Sequence, residues 1–562
     1  MTRSEADTPT GSRLAPALVA AAVVATFARA VPYPLQRSWD DGRFIIDNPD
    51  VHQVSLASLR SILGGPHFQA YHPLHLLSYW LDVPWVGNHA FVIHGVSLAL
   101  WVIAAVLLYR VFCALSLSAP AAALGALACV LHPAQVEAVS WATGRKDVLA
   151  LLLVTAATLA HLRSTRFGDA AAWFSRGLYV LAALAKTTVL PLPLVWLAAD
   201  VLIRRRPAQA AVVMQAPVLL LGAGLAAAVL GIWQQSEMVR VTAGGLGEAP
   251  ARVAATVAHQ LGGALWPAHN APMYSTHALL APGAGGWLLS GSLLVAIAVA
   301  ALRGTRRLLF ALLVFLIFLL PVSNLIPMYY PFQDRYLSLP LVGLGFAVGL
   351  AVESLARAVT MRSAAIAGVI VVAALAGRTV QYQGAWSSEL RLWGHAASVS
   401  PDAYYAWMKL GEVRRDAGDL HGAILAYKRT LSVDPRIKLG HAALLQAVAL
   451  RDEQHRKLSP SMAERYARVY FAALEDASSL RDLAARMLAS GHLRTFELPM
   501  ARALALSPMP DGVLERVAVA QFEAGRPTLG LFYVQQMKQP TQNPQLEALA
   551  RRVAELQAAS PL

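Results

Sequence analysis

Two aspartates stand side by side in the stretch Trp39-Asp40-Asp41-Gly42-Arg43-Phe44, just after the first apolar run of the chain. A carboxylate at the lip of an apolar cavity can take the proton of an attacking hydroxyl. A solvated Asp-Gly turn is the plainer reading of the same residues. In extended backbone, neighbouring side chains point to opposite sides, so only one of Asp40 and Asp41 is expected to face a reaction. A second stretch, HPAQVEAVSWATGRKDVLA from His132 to Ala150, offers His132, Glu137, Arg145 and Lys146. Arginine forks onto phosphate oxygens and lysine supplies a point charge, so Arg145 and Lys146 read either as a phosphate clamp or as snorkelling cations of an interfacial helix. A third, PFQDRYLSLPLVGLG from Pro331 to Gly345, holds Asp334 and Arg335, and Lys186 sits in AKTTVLPLP. Asp334 and Arg335 are either a structural pair or a site in which Arg335 neutralises a leaving phosphate; Lys186 invites the same two readings. His72 and His75 in YHPLH, with His94 and His132 beyond, do not assemble a recognisable zinc ligand set and read as interfacial or hydrogen-bonded histidines.

The elements that must position these residues are membrane helices. The 562 residues are 56% hydrophobic and 14% charged, with a formal net charge of +14. The charge is uneven: 40 charged residues in positions 1–384 against 40 in the 178 positions of 385–562. The front is therefore expected to be a polytopic membrane domain (1–384) and the tail soluble (385–562), which excludes a soluble enzyme, a disordered chain and a secreted disulfide scaffold. Cys113 and Cys129 both lie in apolar runs. No basic stripe interleaved with aromatics appears, so nucleic acid is not an expected partner.

Eleven spans are expected, near 14–31, 91–112, 117–131, 148–162, 174–186, 188–203, 211–233, 286–302, 308–321, 337–356 and 362–380, with 252–266 as an interfacial or re-entrant helix. The polar residues 1–13 followed by 14–31 read as an uncleaved first span. With a cytoplasmic N-terminus, Arg163, Arg166, Arg176, Arg204–Arg206, Arg303, Arg306, Arg307, Arg357 and Arg362 fall on the cytoplasmic side, as the positive-inside rule requires. The candidate residues then share the external face with the C-terminal tail. Ionisable residues at span mouths are costly there and are functional candidates by default.

In the tail, Trp407, Leu410, Gly411, Gly418, Ala423, Tyr427 and Pro435 stand at the spacing of a 34-residue helix-turn-helix TPR repeat. Gly411 and Ala423 allow two helices to approach, and Trp407 and Tyr427 fill the gap to the next pair. A weaker echo runs through Val517, Ala518, Gly525, Gly530 and Val534, and the tail has room for about five such units.

The Asp-Asp pair, the HPxxxEAVxWxxGRxD block, the LAKxxxLxLPL run, the LWPxxxxPMY run (Leu265–Tyr274), the DRYLxLPLxG block and a TPR tail occur in that order. The ordered set resembles the TMTC-like transmembrane TPR proteins of the GT-C glycosyltransferase superfamily. The resemblance implies an all-α fold, a polyprenyl- or dolichyl-phosphate-linked sugar donor and inverting transfer to an acceptor hydroxyl outside the cytoplasm. Protein Ser/Thr is the acceptor in its O-mannosyltransferase members. It places Asp40 or Asp41 at the catalytic acidic position. It puts His132, Glu137, Arg145, Lys146, Lys186, Asp334 and Arg335 around the donor phosphate and acceptor. This sequence has Tyr71-His72-Pro73-Leu74 where relatives often have Tyr-Arg-Pro-Leu. A divalent metal could assist, although no ligand set demands one. The TPR array would offer a concave surface to a protein acceptor or partner, and membrane lipids surround the spans.

The rival readings are a secondary transporter, a GT-C enzyme modifying a glycan or lipid, and a scaffold using the tail alone. A transporter concentrates ionisable residues near the bilayer midplane, whereas here they gather at span mouths on one face. The topology fits a bacterial inner membrane with a periplasmic tail; an endoplasmic-reticulum membrane would look alike.

Overall fold

The structure is a computed structural model and describes residues 10–68, 71–235, 246–275, 283–328, 330–434, 511–523 and, with gaps, 437–451 and 527–559. The regular elements among them are helical. The chain divides into two compact units, Met1–Ala403 and Tyr404–Leu562, so residues 385–403 pack within the first.

The first unit contains α1 (Thr10–Phe27), α2 (Ala90–Ala114), α3 (Ala119–Val130), α4 (Val136–Ser140), α5 (Arg145–Arg163), α6 (Ala170–Ala185), α7 (Leu192–Ala198) and α8 (Ala208–Gln235). It continues with α9 (Ala249–Leu265), α10 (Gly283–Leu302), α11 (Arg306–Leu319), α12 (Pro340–Ala358), α13 (Met361–Gln383) and α14 (Glu389–Val399). Local chemistry sets several boundaries. Asp169 caps α6 by accepting from Ala172 N at 2.7 Å, and Thr360 caps α13 by accepting from Ser363 N at 3.1 Å. Pro340 opens α12, where a missing N–H costs nothing.

Five helical segments are long and apolar enough to cross a membrane: Ala90–Ala114, Ala208–Ile232, Gly283–Leu302, Pro340–Ala358 and Met361–Ser387. A sixth span results if Ala119–Val130 and Pro133–Ser140, bent by 54° at His132-Pro133, act as one. Leu14–Ala30, Ala170–Ala185 and Thr187–Ile203 are apolar but shorter. Among the described residues five or six segments thus have the length and composition of a span, against the eleven expected. Length accounts for part of the difference. The runs expected as separate spans at 174–186 and 188–203 do part at Lys186, whose backbone is extended (φ −159°, ψ 129°), but each forms a helix shorter than a span.

Small residues let the helices touch backbone to backbone. A Cβ on Gly345 would lie 2.5 Å from Gly125 O, and one on Gly125 would lie 2.4 Å from Gly345 O. Gly343 faces Ala311 O at 2.4 Å and Gly349 faces Ala121 O at 2.9 Å. Gly345 and Gly349 form the small-xxx-small spacing by which α12 closes on α3.

The second unit begins with a helical hairpin, α15 (Tyr404–Asp416) and α16 (Leu420–Val433). Gly418 turns it with φ 81°, and Asp419 caps α16 by accepting from Gly422 N at 2.8 Å. A Cβ on Gly411 would strike the Tyr427 ring at 2.4 Å. Tyr427 and Ala423 are buried and pack with Ala443, Leu444 and Ala447 of the following segment. A second hairpin joins α17 (Asp511–Glu523) and α18 (Pro527–Gln535), with Gly530 against the Phe522 ring, and α19 (Pro544–Ala559) follows. Pro435 and Gly525 of the expected repeats lie outside the described residues.

Candidate functional site

The Asp-Asp pair does not sit in extended chain. Asp41 has helical backbone (φ −63°, ψ −31°) and leads into the wide helical turn Gly42–Ile46, closed by Asp47 N donating to Gly42 O. The two carboxylates nevertheless have different surroundings. Asp41 is wholly buried. It accepts Gln36 N at 2.7 Å on Oδ2, and Thr143 N at 2.9 Å and Thr143 Oγ1 at 2.5 Å on Oδ1. Burial pushes its carboxyl up to about 6, against the lowering effect of these hydrogen bonds. Asp41 is thereby a brace between the first loop and the turn before α5. Asp40 is half-buried and within electrostatic reach of Lys146 and Arg335. Among the described residues its carboxylate has no hydrogen-bond or ion-pair partner.

Lys146 and Arg335, both singled out in the sequence, reach Asp40, and they connect in turn to Lys186 and Glu137. Glu137, buried on α4, pairs with the Arg335 guanidinium and also accepts Arg335 N at 3.0 Å. Lys186 pairs with Asp147, whose second oxygen is buried without a hydrogen-bond partner. Lys146 has its ammonium 4.7 Å from the Trp141 ring centroid and 5.5 Å from that of Phe44. Arg335 lies 5.2 Å from Trp141 and 6.0 Å from Trp39. The cations are thus held against aromatic faces, an arrangement worth more where water is excluded. A tight turn makes this possible: Gly144 approaches Glu137 O and Ala138 O so closely that a Cβ would lie 2.7 and 2.5 Å from them. His72 faces Lys146 and Lys186 with a buried Nε2 that lacks a partner. Burial and the two ammonium groups push its ring down to about 3, so it is neutral and offers an acceptor.

Trp39 and Trp141 belong to an aromatic wall. Their ring centroids are 5.8 Å apart, Trp393 lies 5.0 Å from Trp39, and Trp386 lies 6.4 Å from Trp141. The segment after α13 is tied to the first loop by Trp393 Nε1 donating to Ser38 Oγ at 2.8 Å and Gln36 Nε2 donating to Trp386 O at 3.0 Å.

Three expected site residues are engaged elsewhere. Arg145 is no phosphate clamp. Its Nε donates to Ser97 Oγ at 3.0 Å, its Nη1 to Ser78 O and Asp82 Oδ1, and its Nη2 to Asp82 Oδ2 and Ile93 O. All five N–H donors of the guanidinium are used inside the protein. His132 is a strut: Ala134 N donates to its Nδ1 at 3.2 Å, and its Nε2 lies 3.1 Å from Ala264 O of α9. Asp334 turns away from Arg335 and accepts Tyr274 Oη at 2.6 Å. Burial, with Glu137 nearby, pushes its carboxyl up to about 8. The structural Asp334–Arg335 pair is not formed; each finds a partner on a different element.

Asp82, Thr143 and Asp147 complete these contacts; the sequence offers Asp82 and Asp147 only as ionisable residues of the external loops and gives no sign of Thr143. Each acts through a partner 39 to 102 residues away, which spacing alone does not reveal. Among the described residues no three His, Cys, Asp or Glu side chains gather as a metal site.

Beside Lys186 an apolar cavity of about 420 Å³ opens between α7, α8 and the end of α11, lined by Thr187, Leu190, Leu194, Ala226, Leu230 and Leu325 among others.

No family model matches the chain. A protein O-mannosyl-transferase of Mus musculus, TMTC1, is 30% identical over 145 residues, covering 24% of this chain and 15% of the mouse protein. The regular elements of the described residues are thus helical, several of them of membrane length and apolar, and the chain has a partial, distant TMTC-like relationship.

Proposed function

We propose that the chain is an integral-membrane glycosyltransferase that moves a sugar from a polyprenyl-phosphate donor to an acceptor hydroxyl. One observation carries the reading: of two adjacent aspartates, Asp41 is saturated by protein donors while Asp40 is left open among Lys146, Arg335 and the aromatic wall. Asp40 takes the proton of the acceptor hydroxyl as its oxygen bonds to the anomeric carbon. The bond from that carbon to the phosphate oxygen breaks on the opposite side, its electron pair leaving with the phosphate, so configuration inverts. Lys146 and Arg335, with Lys186 deeper in, stabilise the charge that develops on the leaving phosphate. The isoprenoid tail suits the apolar cavity that begins at Thr187, next to Lys186. The TMTC-like relationship favours a protein Ser/Thr acceptor. The TPR-like hairpins of the second unit supply a surface for it, and both belong on the extracytoplasmic face, in a bacterial inner membrane with the N-terminus inside.

The test is transfer itself. The purified chain is incubated with a panel of polyprenyl-phosphate sugars and candidate acceptor proteins, and product is followed by mass spectrometry. Transfer that survives Asp40→Asn unchanged would refute this assignment of the base. An α-product from an α-linked donor would refute single displacement.

A further inference from the structure

At the other end of the helix bundle lies a second built cavity. α2 begins beside the site, where Ile93 O accepts from Arg145, and ends at Ala114; α12 begins just after Arg335 and ends at Ala358. Where they end, a cavity of about 760 Å³ is lined by Arg205, Arg306, Arg307 and Arg357, with Glu353 as its carboxylate. Glu353 is already spent. Its Oε2 accepts Arg307 Nη1 at 2.9 Å and its Oε1 accepts Ser118 N at 2.7 Å. Arg307 is held further by Ser116 O at 2.8 Å, and its Nε is buried without an acceptor.

The guanidinium groups of Arg205, Arg306 and Arg357 have no hydrogen-bond or ion-pair partner among the described residues. Arg205 is set apart by its backbone. Its neighbours Arg204 and Arg206 both turn to Asp200, whereas Arg205 has φ 56° and lines the cavity. Arg306 opens α11, whose first amides add positive partial charge at the same place. Leu202, Ile203 and Leu350 supply apolar wall between the cations. A bias of arginine to one side of a membrane accounts for the sign of these residues. It does not account for three of them converging, uncompensated, on one cavity with an apolar wall.

We infer that this cavity binds the phosphate headgroup of an anionic phospholipid, with the acyl chains against the apolar wall. Guanidinium groups fork onto phosphodiester oxygens, and three uncompensated positive charges favour a headgroup with two phosphates. The site is independent of the Asp40 chemistry and stands whether or not the chain transfers sugar.

The full chain is reconstituted in phosphatidylcholine nanodiscs doped with diphosphatidylglycerol, and retained lipid is counted by native mass spectrometry. The expected result is one retained anionic lipid, weakened at least tenfold in the triple variant Arg205→Gln/Arg306→Gln/Arg357→Gln. The charge-matched Arg166→Gln/Arg303→Gln/Arg362→Gln variant should retain it. The double variant Arg306→Gln/Arg357→Gln, with an unchanged melting temperature in pure phosphatidylcholine, guards against misfolding. Equal loss in both triple variants would reduce the effect to general surface attraction and overturn the site. Binding of inorganic diphosphate without lipid retention would make the ligand a free phosphate and overturn the lipid assignment.

Discussion

Arg145 and Asp82, 63 residues apart, meet as a two-toothed ion pair with both side chains wholly buried, Nη2 to Oδ2 at 2.5 Å and Nη1 to Oδ1 at 3.2 Å. The pair fastens the helix that carries Lys146 and Asp147 to the end of the first loop. Removing one partner strands a buried charge, which typically costs about 3–5 kcal/mol. Asp82→Ala is therefore expected to lower stability by that order and to abolish function indirectly. Arg145→Lys should fail in the same way, since an ammonium cannot reproduce the fork. Thermal unfolding in detergent separates this from a binding defect. A variant with unchanged melting and weaker donor binding would return Arg145 to the phosphate site.

Asp40 and Asp41 should separate in the same pair of assays. Asp40→Asn is expected to keep the melting temperature and to lose about 10²–10⁴-fold in transfer rate, the usual range for a general base. Asp41→Ala leaves Thr143 N, Thr143 Oγ1 and Gln36 N without their acceptor and should destabilise by about 1–3 kcal/mol. The reverse pattern would identify Asp41 as the base.

The pH dependence of stability has a defined sign. Asp334 titrates near 3.8 when exposed and is pushed up to about 8 in the folded chain. Between about pH 4 and pH 8 the folded state keeps a proton that the unfolded state has lost, so this group makes stability fall as pH rises through that window. Asp41 acts in the same direction up to about pH 6. Asp334→Asn is expected to flatten the upper part of the curve, measured as melting temperature from pH 5 to pH 8.5. A slope that persists in that variant would place the titration elsewhere.

At the Gly125–Gly345 crossing there is no room for a side chain. Gly345→Leu should force α3 and α12 apart and destabilise the first unit by roughly 1–3 kcal/mol or more. At Gly377, where no atom lies within 4 Å of the added Cβ, substitution by alanine should be nearly neutral. Comparable melting of the two variants would refute the tight crossing.

Much of the architecture is legible in sequence because helices and their caps are local. The helices at 90–114, 340–358 and 361–383, and the hairpin of Gly411, Gly418 and Tyr427, follow from apolar runs and glycine placement. The spanning lengths are less so: the apolar runs expected at 14–31, 174–186 and 188–203 correspond to helices shorter than a span, and a run of apolar residues does not by itself fix the length of the helix it forms. Within the site, the residue types of Glu137, Lys146, Lys186 and Arg335 are legible as candidates, and the fold places Lys146 and Arg335 within electrostatic reach of Asp40, with Glu137 on Arg335 and Lys186 near both cations. Arg145 misled because its side-chain type suits either a phosphate or a carboxylate. Only the fold brings up Asp82 and decides which it meets. The extended backbone assumed for Asp40 and Asp41 was wrong, yet the two still differ in surroundings, because a helical turn also rotates successive side chains apart.

Trp393 reaches Ser38 across 355 residues of sequence, and Trp386 lies over the same loop. During synthesis, the Asp40 loop therefore emerges long before its aromatic wall exists. Those bonds can form only after nearly four hundred residues have left the ribosome. A chain interrupted before α14 would carry the acidic loop and its cations without the Trp393–Ser38 bond, leaving that side of the loop to water.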